Sequence, residues 1–267
     1  MNNSQVSIII PTFNRAGYLK QCIDSCLNQT QKSEIIVCDH GSIDNTPEVV
    51  KQYGDKIVYV RRELDSGVHF CWLDGILHAK NEWIHLNFDD DWIEPTFIEK
   101  TAALITEDVG SVFTNTQIFF EDENIFRDHT FFKMETGTYP SGLLVNYNTK
   151  LLTSPCASII RKEIMIDVLF QGKIPFSKNH YHGVGPDILF SLFAGKEYKK
   201  FGFVYEKLAV FRAHKGSITI DAQNDKNKNK KIKNAYNDAR VYYYLTQFIE
   251  KFKIQYLIKY FLKFKRI

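Results

Sequence analysis

Trp83-Ile84-His85-Leu86-Asn87-Phe88-Asp89-Asp90-Asp91-Trp92-Ile93-Glu94-Pro95 sets an apolar run directly ahead of three consecutive carboxylates. Clustered carboxylates repel one another, so such a run at the end of a buried strand is costly unless a cation neutralises it. Hard divalent ions take oxygen ligands of this kind and keep open positions for substrate phosphates. The same residues also suit a solvated acidic turn that caps the following helix, and composition alone leaves both readings open. The surrounding chain moves the balance.

Upstream, strands and helices alternate. Val6-Ser7-Ile8-Ile9-Ile10 is a β-branched run that Pro11 is expected to end, as suits a buried parallel strand. Leu19, Cys22, Ile23, Cys26 and Leu27 recur at helical spacing. Glu34-Ile35-Ile36-Val37-Cys38 reads as a second strand that runs into the turn Asp39-His40-Gly41-Ser42. Thr46 is expected to cap a helix with Pro47 at its first position, where a missing N–H costs nothing. Ile57-Val58-Tyr59-Val60 gives a third strand, Gly67 to Ala79 a helix, Trp83 to Leu86 a fourth strand and Val109 to Phe113 a further one. This repetition predicts an α/β fold with a doubly wound, mostly parallel sheet flanked by helices, and a helical extension at its C-terminal end. Ligands of such sheets bind beyond the carboxyl ends of the strands. Asp39, Asp89–Asp91 and the segment Thr12-Phe13-Asn14-Arg15 all fall on that edge.

The 267 residues suffice for a large core without staples, and 44% hydrophobic with 24% charged residues is an ordinary globular composition. A net charge of +3 is too small to argue for nucleic acid. Cys22, Cys26, Cys38, Cys71 and Cys156 are odd in number and form no CxxC pair, which predicts reduced core thiols in a cytosolic protein. Val6 to Ile10 is too short for a signal peptide, and no apolar stretch reaches bilayer-spanning length.

From Phe119 to Tyr181 the pattern loosens into aromatic-rich, polar segments of the kind that carry specificity on a rigid scaffold. A helix is expected to resume at Asp187 and end at Gly195, followed by a β-rich segment from Phe203 to Arg212. Residues 219–234, nearly all Asn, Lys, Gln and Asp, read as a polar linker. Residues 235–267 read as a basic amphipathic tail helix; Glu250 to Ile267 alone holds six basic residues against one acid. Such a helix fits an anionic membrane surface, while packing back on the domain is the alternative.

Neither GxGxxG nor GxxxxGK[ST] occurs, nor do GxSxG or HExxH, so dehydrogenase, P-loop, serine hydrolase and zinc protease readings have no support. A nucleotide at this sheet edge would be held by side chains such as Asp39, with a metal at Asp89–Asp91 bridging a diphosphate.

Val6-Ser7-Ile8-Ile9-Ile10-Pro11-Thr12-Phe13-Asn14-Arg15 resembles the opening of the family 2 glycosyltransferases. Val37-Cys38-Asp39-His40-Gly41-Ser42-Ile43-Asp44 is similar to their V-D-D-G-S-x-D signature, and Asp89-Asp90-Asp91-Trp92-Ile93-Glu94-Pro95 to their DxD-type metal motif. The resemblance covers residues 5 to 115 closely and 150 to 218 loosely. It implies a GT-A fold, a domain over 1–218 (nucleotide-sugar half about 1–115, acceptor half about 116–218) and inverting sugar transfer that needs Mn2+ or Mg2+. It places Pro11, Thr12, Phe13, Asn14 and Arg15 around the nucleotide and gives Asp39 to the base, usually a uracil; an Asx-turn role for Asp39 is the competing reading. Asp44 suits a turn or cap. Asp90 matches the metal-binding acid, Asp89 a ribose or metal contact, and Asp91 a further ligand or a structural acid. Asp187 stands where the family carries its general base, and a first-turn helix acid is its alternative. Arg212-Ala213-His214-Lys215 is similar to a late R-x-H segment, which implies His214 on the metal and Arg212 on the diphosphate. His180 and His182 border the implied acceptor pocket or a plain loop.

Several positions depart from the family's pattern. Phe88 replaces the leading aspartate of D-x-D-D, and His40 the second acid of V-D-D-G-S. The Arg and Asn after the third strand give way to His69 or Trp72, and to Asp74. The implied partners are a nucleotide-sugar donor and a glycan or lipid-linked glycan acceptor, met in the cytoplasm or at the inner face of a membrane through 235–267, with no nucleic acid. Rival readings are a nucleotidyltransferase, which lacks its basic glycine-rich loop here, and a degenerate glycan-binding module.

Overall fold

Runs of Ile and Val that are apolar on every position can only be strands covered on both faces, and the first half of the chain folds accordingly. The computed structural model describes residues 5–145, 154–169, 174–175, 177, 186–217 and 225–254. The nucleotide-edge half comprises β1 (Val6–Thr12), α1 (Ala16–Leu27), β2 (Glu34–His40), α2 (Thr46–Lys51), β3 (Val58–Arg62), α3 (Val68–His78) and β4 (Trp83–Leu86). The second half follows as β5 (Trp92–Ile93), α4 (Phe97–Ala102), β6 (Val109–Phe120), β7 (Ile125–His129), β8 (Gly137–Pro140), α5 (Gly142–Val145), β9 (Ser158–Arg161), α6 (Lys162–Val168), α7 (Pro186–Glu197), β10 (Lys200–Ala213) and α8 (Lys226–Lys251).

The sheet order is β3-β2-β1-β4-β9-β6-β10-β5, with β7 on β6 and β8 on β10. The ladders β1–β2, β1–β4, β2–β3 and β6–β10 are parallel. The short strands β5, β7, β8 and β9 pair antiparallel, so the mostly parallel expectation holds for the long ladders. Alternate residues of β1 enter different cores. Val6, Ile8 and Ile10 join Leu19, Cys22 and Ile23 of α1, and Ile9 joins Trp72 and Ile76 of α3. All five cysteines are free and buried.

Pro11 does not end β1; the strand continues to Thr12 and pairs Pro11 with Cys38. Ile9 directs its carbonyl to the β4 side, where it accepts from the Asn87 N–H at 2.9 Å. Pro11, two residues on, presents its missing N–H to the same side, beyond the last β1–β4 pair at Ile9 and Leu86, so no ladder bond is lost. The α2 cap falls one residue before Thr46, on Asn45, with Pro47 inside the first turn. β6 and β10 run well past their expected limits, and the hairpin of β6 with β7 occupies part of the segment expected to be irregular.

The polar linker expected over 219–234 is corrected by α8, which starts at Lys226. Asp225 caps it, accepting from the Asn227 N–H at 2.8 Å and the Lys228 N–H at 3.2 Å, which satisfies donors that would otherwise be orphaned. The inward face of α8 buries Ala235, Ala239 and Tyr243, and Tyr243 meets Phe193 of α7 edge-on at 5.5 Å. The tail therefore packs back on the domain along this face. One continuous helix over 235–267 is also corrected: α8 ends at Lys251, and Lys253 sits at φ 52°. Residues 255–267 lie outside the described residues.

Gly75 sets the distance between α3 and the sheet. A Cβ there would come within 2.3 Å of Ile9 Cγ2 and 2.8 Å of Cys38 Sγ. Alanine would gain about 1 kcal/mol of helix propensity, against an overpacking cost of about 1–3 kcal/mol. Gly75→Ala is therefore expected to lower the midpoint of thermal unfolding; an unchanged or raised midpoint would show that α3 can ride outward at no cost.

Candidate active site

The carboxyl ends of β1, β2, β3 and β4 lie side by side, because all four strands run parallel. β10 brings Arg212 to the same edge, where it contacts the residues that follow β4. The aspartate triplet is shared out among these neighbours, one carboxylate to each.

Asp89 and Asp91 are both at least nine-tenths buried. Asp89 is pushed up to about 7, first by burial and next by the charge of Asp90, against the pull of Thr12, Arg15 and the Phe13 N–H. Asp91 lies well above the carboxylate range through burial, and its Oδ1 accepts from the Arg212 N–H at 2.9 Å. Asp90 keeps 19% of its side chain exposed, and its Oδ2 lies 2.9 Å from His214 Nε2. His214 Nδ1 is 2.7 Å from the Lys215 carbonyl, which only accepts, so Nδ1 carries the proton. Arg15, a donor only, reaches His214 Nε2 through Nη1 at 3.4 Å. Nε2 and Asp90 Oδ2 are thus two acceptors in contact, a pair that repels unless a proton or cation joins them.

This donor set fits a divalent ion: one imidazole nitrogen and one carboxylate, with a carbonyl fixing the tautomer as metal-ligating histidines usually show. Among the described residues no group of three His, Cys, Asp or Glu converges as a metal cage. Two of the expected site residues are engaged within the protein. Asp91 takes the structural part of its two expected roles, bonded to the Arg212 backbone and the Cys156 thiol. Arg212 is likewise tied to its neighbours. Its Nε donates to the Asp90 carbonyl at 3.0 Å, Nη1 to Glu121 at 2.9 Å and Nη2 to Gln21, while Tyr18 and Trp92 cover it at 4.9 and 5.0 Å. A guanidinium with each nitrogen engaged braces the turn, and two of its five N–H groups are left over.

The β1 loop docks on the β2 turn. Asn14, at φ 54°, donates its N–H to Ser42 Oγ at 2.9 Å and accepts from the Ile43 N–H at 2.8 Å. The Arg15 N–H reaches Thr46 Oγ1, and Asp44 accepts from the N–H groups of Ala16 and Thr46, which is the turn role expected of it. Phe13 is left 46% exposed at the rim. Asp39 is wholly buried: Oδ1 accepts from the Ser42 N–H at 2.9 Å, and Oδ2 accepts from Tyr59 at 2.6 Å and Arg61 at 3.1 Å. Asp39 thus ties the turn after β2 to Tyr59 and Arg61 of β3. Burial and the Asp39 bond push the Tyr59 hydroxyl up to about 12.

His69 is buried, its ring edge-on to Trp72 at 5.2 Å. Asp74 is held by Arg62 in a two-bonded pair at 2.7 and 2.8 Å, which keeps it below the usual carboxylate range. Asp187 opens α7, where Oδ2 accepts from the Tyr236 hydroxyl of α8 at 3.4 Å. Phe190, one turn on, meets Trp72, which stacks on Phe88 at 5.3 Å beside Asp89. His180 and His182 lie outside the described residues.

Sequence reasoning passed over Tyr18, Tyr59, Arg61, Glu121 and Tyr236. Arg61 and Arg62 were open to detection, as polar residues ending an apolar strand at the ligand edge. Tyr18, whose ring lies 4.8 Å from His214, sits on an ordinary helix stripe and carries no local signal.

The profile of the family described as "Glycosyl transferase family 2" matches residues 7–169, and so takes in the strand ends and the triplet. Glycosyltransferase GlyA of Streptococcus pneumoniae is 29% identical over 132 residues, 48% of this chain and 19% of that protein. Chondroitin synthase of Pasteurella multocida is 38% identical over 97 residues, 35% of this chain and 10% of that protein. The matches thus span a fifth or less of these relatives' own length. The crystal structure of S. aureus TarS 1-349 in complex with UDP-GlcNAc superposes with a TM-score of 0.63 at 19% identity, covering 79% of this chain and 59% of that one, a likeness of fold. With a family profile laid over more than half its length and the strand-edge acids inside the match, the chain belongs to glycosyl transferase family 2.

Proposed function

We propose that the chain transfers a sugar from a nucleoside-diphosphate donor, UDP favoured, to a hydroxyl of a glycan, with inversion at the anomeric carbon. The observation that carries this reading is the Asp90–His214 pair, set between Arg15 and the carboxyl ends of β1 and β4. Asp90 and His214 would hold Mn2+ or, with less affinity for the imidazole, Mg2+. When bound, such an ion offsets the charge of the diphosphate as it leaves. The crystal of TarS with UDP-GlcNAc supports the donor class. Chondroitin synthase, a polymer-building relative by its name, supports an acceptor in bacterial surface polysaccharide, such as O-antigen or capsule.

The protein's own side chains then have distinct tasks. Asp187 accepts the proton of the acceptor hydroxyl while that oxygen bonds to the anomeric carbon and the bond to the diphosphate breaks. Attack from the face opposite the leaving group inverts the configuration. Tyr236 donates to the Asp187 oxygen and fixes its orientation. Arg15 supplies positive charge beside Asp89 and His214, and Thr12, Phe13, Asn14 and the Asp39–Arg61 pair border the nucleotide. The basic segment 235–267 fits peripheral contact with the inner face of a membrane, where a lipid-linked acceptor would lie.

UDP with Mn2+ is expected to raise the unfolding midpoint more than either alone, by the equivalent of about 2.7 kcal/mol at a hundredfold excess over the dissociation constant. Asp90→Ala and His214→Ala should each remove the metal-dependent part. A panel in which no nucleoside diphosphate stabilises the protein in a metal-dependent way would sink the reading.

Asp187→Asn is expected to keep the UDP–Mn2+ shift and to lower turnover about 10²- to 10⁴-fold. Loss of nucleotide binding in that variant, or near-normal turnover measured by UDP release, would contradict its role as base.

A further inference from the structure

The 26-residue helix α8 has a second face that is largely exposed. Its inward side is occupied by Ala235, Ala239 and Tyr243. On the opposite side Val241, Tyr244 and Phe248 stand 64%, 39% and 52% exposed, with Phe252 at the C-cap 57% exposed. At about 100° per residue these four fall within about 80° of arc. The exposed Lys226, Lys230, Lys233 and Lys251 fall on the same side. Both acids of the helix lie away from it: Asp238 accepts from Ser177 at 2.6 Å, and Glu250 pairs with Lys196 at 2.8 Å. The outward face is therefore basic along its first half, aromatic along its second, and free of acids.

Charge is divided along the chain in the same sense. Residues 226–267 hold twelve Lys and Arg against two acids, a charge of +10, whereas residues 1–225 hold 22 bases against 29 acids, a charge of −7. The net +3 hides this polarity. An anionic surface attracts the α8 side and repels the body, which orients the molecule with α8 down.

We propose that the outward face of α8 docks on an anionic lipid bilayer, its lysines at the headgroups and Val241, Tyr244, Phe248 and Phe252 in the headgroup–acyl boundary. This deepens the membrane contact suggested above by assigning its face, and it is independent of the transfer chemistry. An amphipathic helix lying in the interface uses this combination of basic and aromatic residues. A second copy of the chain suits the face less well. Parallel pairing sets lysine on lysine, and antiparallel pairing sets ammonium groups on rings with no acid to receive them. Nucleic acid phosphates would satisfy the lysines and leave the apolar half in water.

The test is flotation of the full chain with vesicles of phosphatidylglycerol and phosphatidylcholine in equal parts, against phosphatidylcholine alone. Binding is expected with the anionic vesicles only, and is expected to fall as salt is raised. Replacing Lys226, Lys230 and Lys233 together by Glu should weaken partition about a hundredfold, from about fivefold per lysine lost at the surface. Phe248→Ser with Phe252→Ser should weaken it about tenfold or more. The UDP–Mn2+ thermal shift, read on the same samples, should persist in both variants; its absence in the unaltered chain would count against sugar transfer and leave docking to be judged by flotation. Equal flotation with neutral vesicles, or flotation unaffected by the lysine changes, overturns the proposal. So does a concentration-dependent dimer that Phe248→Ser abolishes, since a second copy would then own the face.

Discussion

Three consecutive carboxylates at the buried end of a strand cannot share one environment, and the site is organised around keeping them apart. Mutual repulsion and desolvation both raise the cost of charge, and the chain meets that cost by bringing a different strand to each acid. β1 offers Thr12, the Phe13 N–H and Arg15 to Asp89. The segment after β10 offers His214 to Asp90, and the β10 backbone offers the Arg212 N–H to Asp91. The long parallel β6–β10 ladder is what carries Arg212 to that position, so the second half of the sheet is a precondition of the site.

The supports beneath the triplet are soft and apolar. The Cys22 thiol donates to the Phe88 carbonyl, the Phe88 N–H donates to the Cys156 sulfur, and Asn87 donates to the Asp91 carbonyl. His85, buried between the Ser158 carbonyl and Asn87, is pushed down to about 4 by burial and stays neutral. A neutral floor matters, because a further buried charge here would compete with Arg15 and His214 for the acids. Phe88 stacks on Trp72 and helps join this floor to α7.

Much of this was legible in the sequence where local pattern and tertiary role coincide. Ile8-Ile9-Ile10 and Ile35-Ile36-Val37 are apolar on both faces and could only be covered strands, and the polar residues after them had to meet at one edge. The hairpin of β6 and β7 was illegible because every residue of β7 is exposed, so alternation carried no burial signal. The start of α8 was illegible for a related reason. Its first nine residues, from Lys226 to Asn234, are nearly all Lys and Asn, and helix formation there rests on the Asp225 cap and on packing nine or more residues later, at Ala235. The partners of Asp91 and Arg212 were illegible because spacing gives proximity but not side-chain allegiance.

The R-x-H segment illustrates the point. Arg212 and His214 are two residues apart, so both reach the triplet from one side, yet they meet different parts of it. Arg212 is held by Glu121, Gln21 and three aromatic rings before any ligand arrives, and it fixes the Asp90 carbonyl from behind. His214 is held through Nδ1 and against the Tyr18 ring, with Nε2 directed at the Asp90 carboxylate and within reach of Arg15. The backbone of the turn is thus immobilised from behind, while one nitrogen of His214 and one oxygen of Asp90 are left to converge at its front.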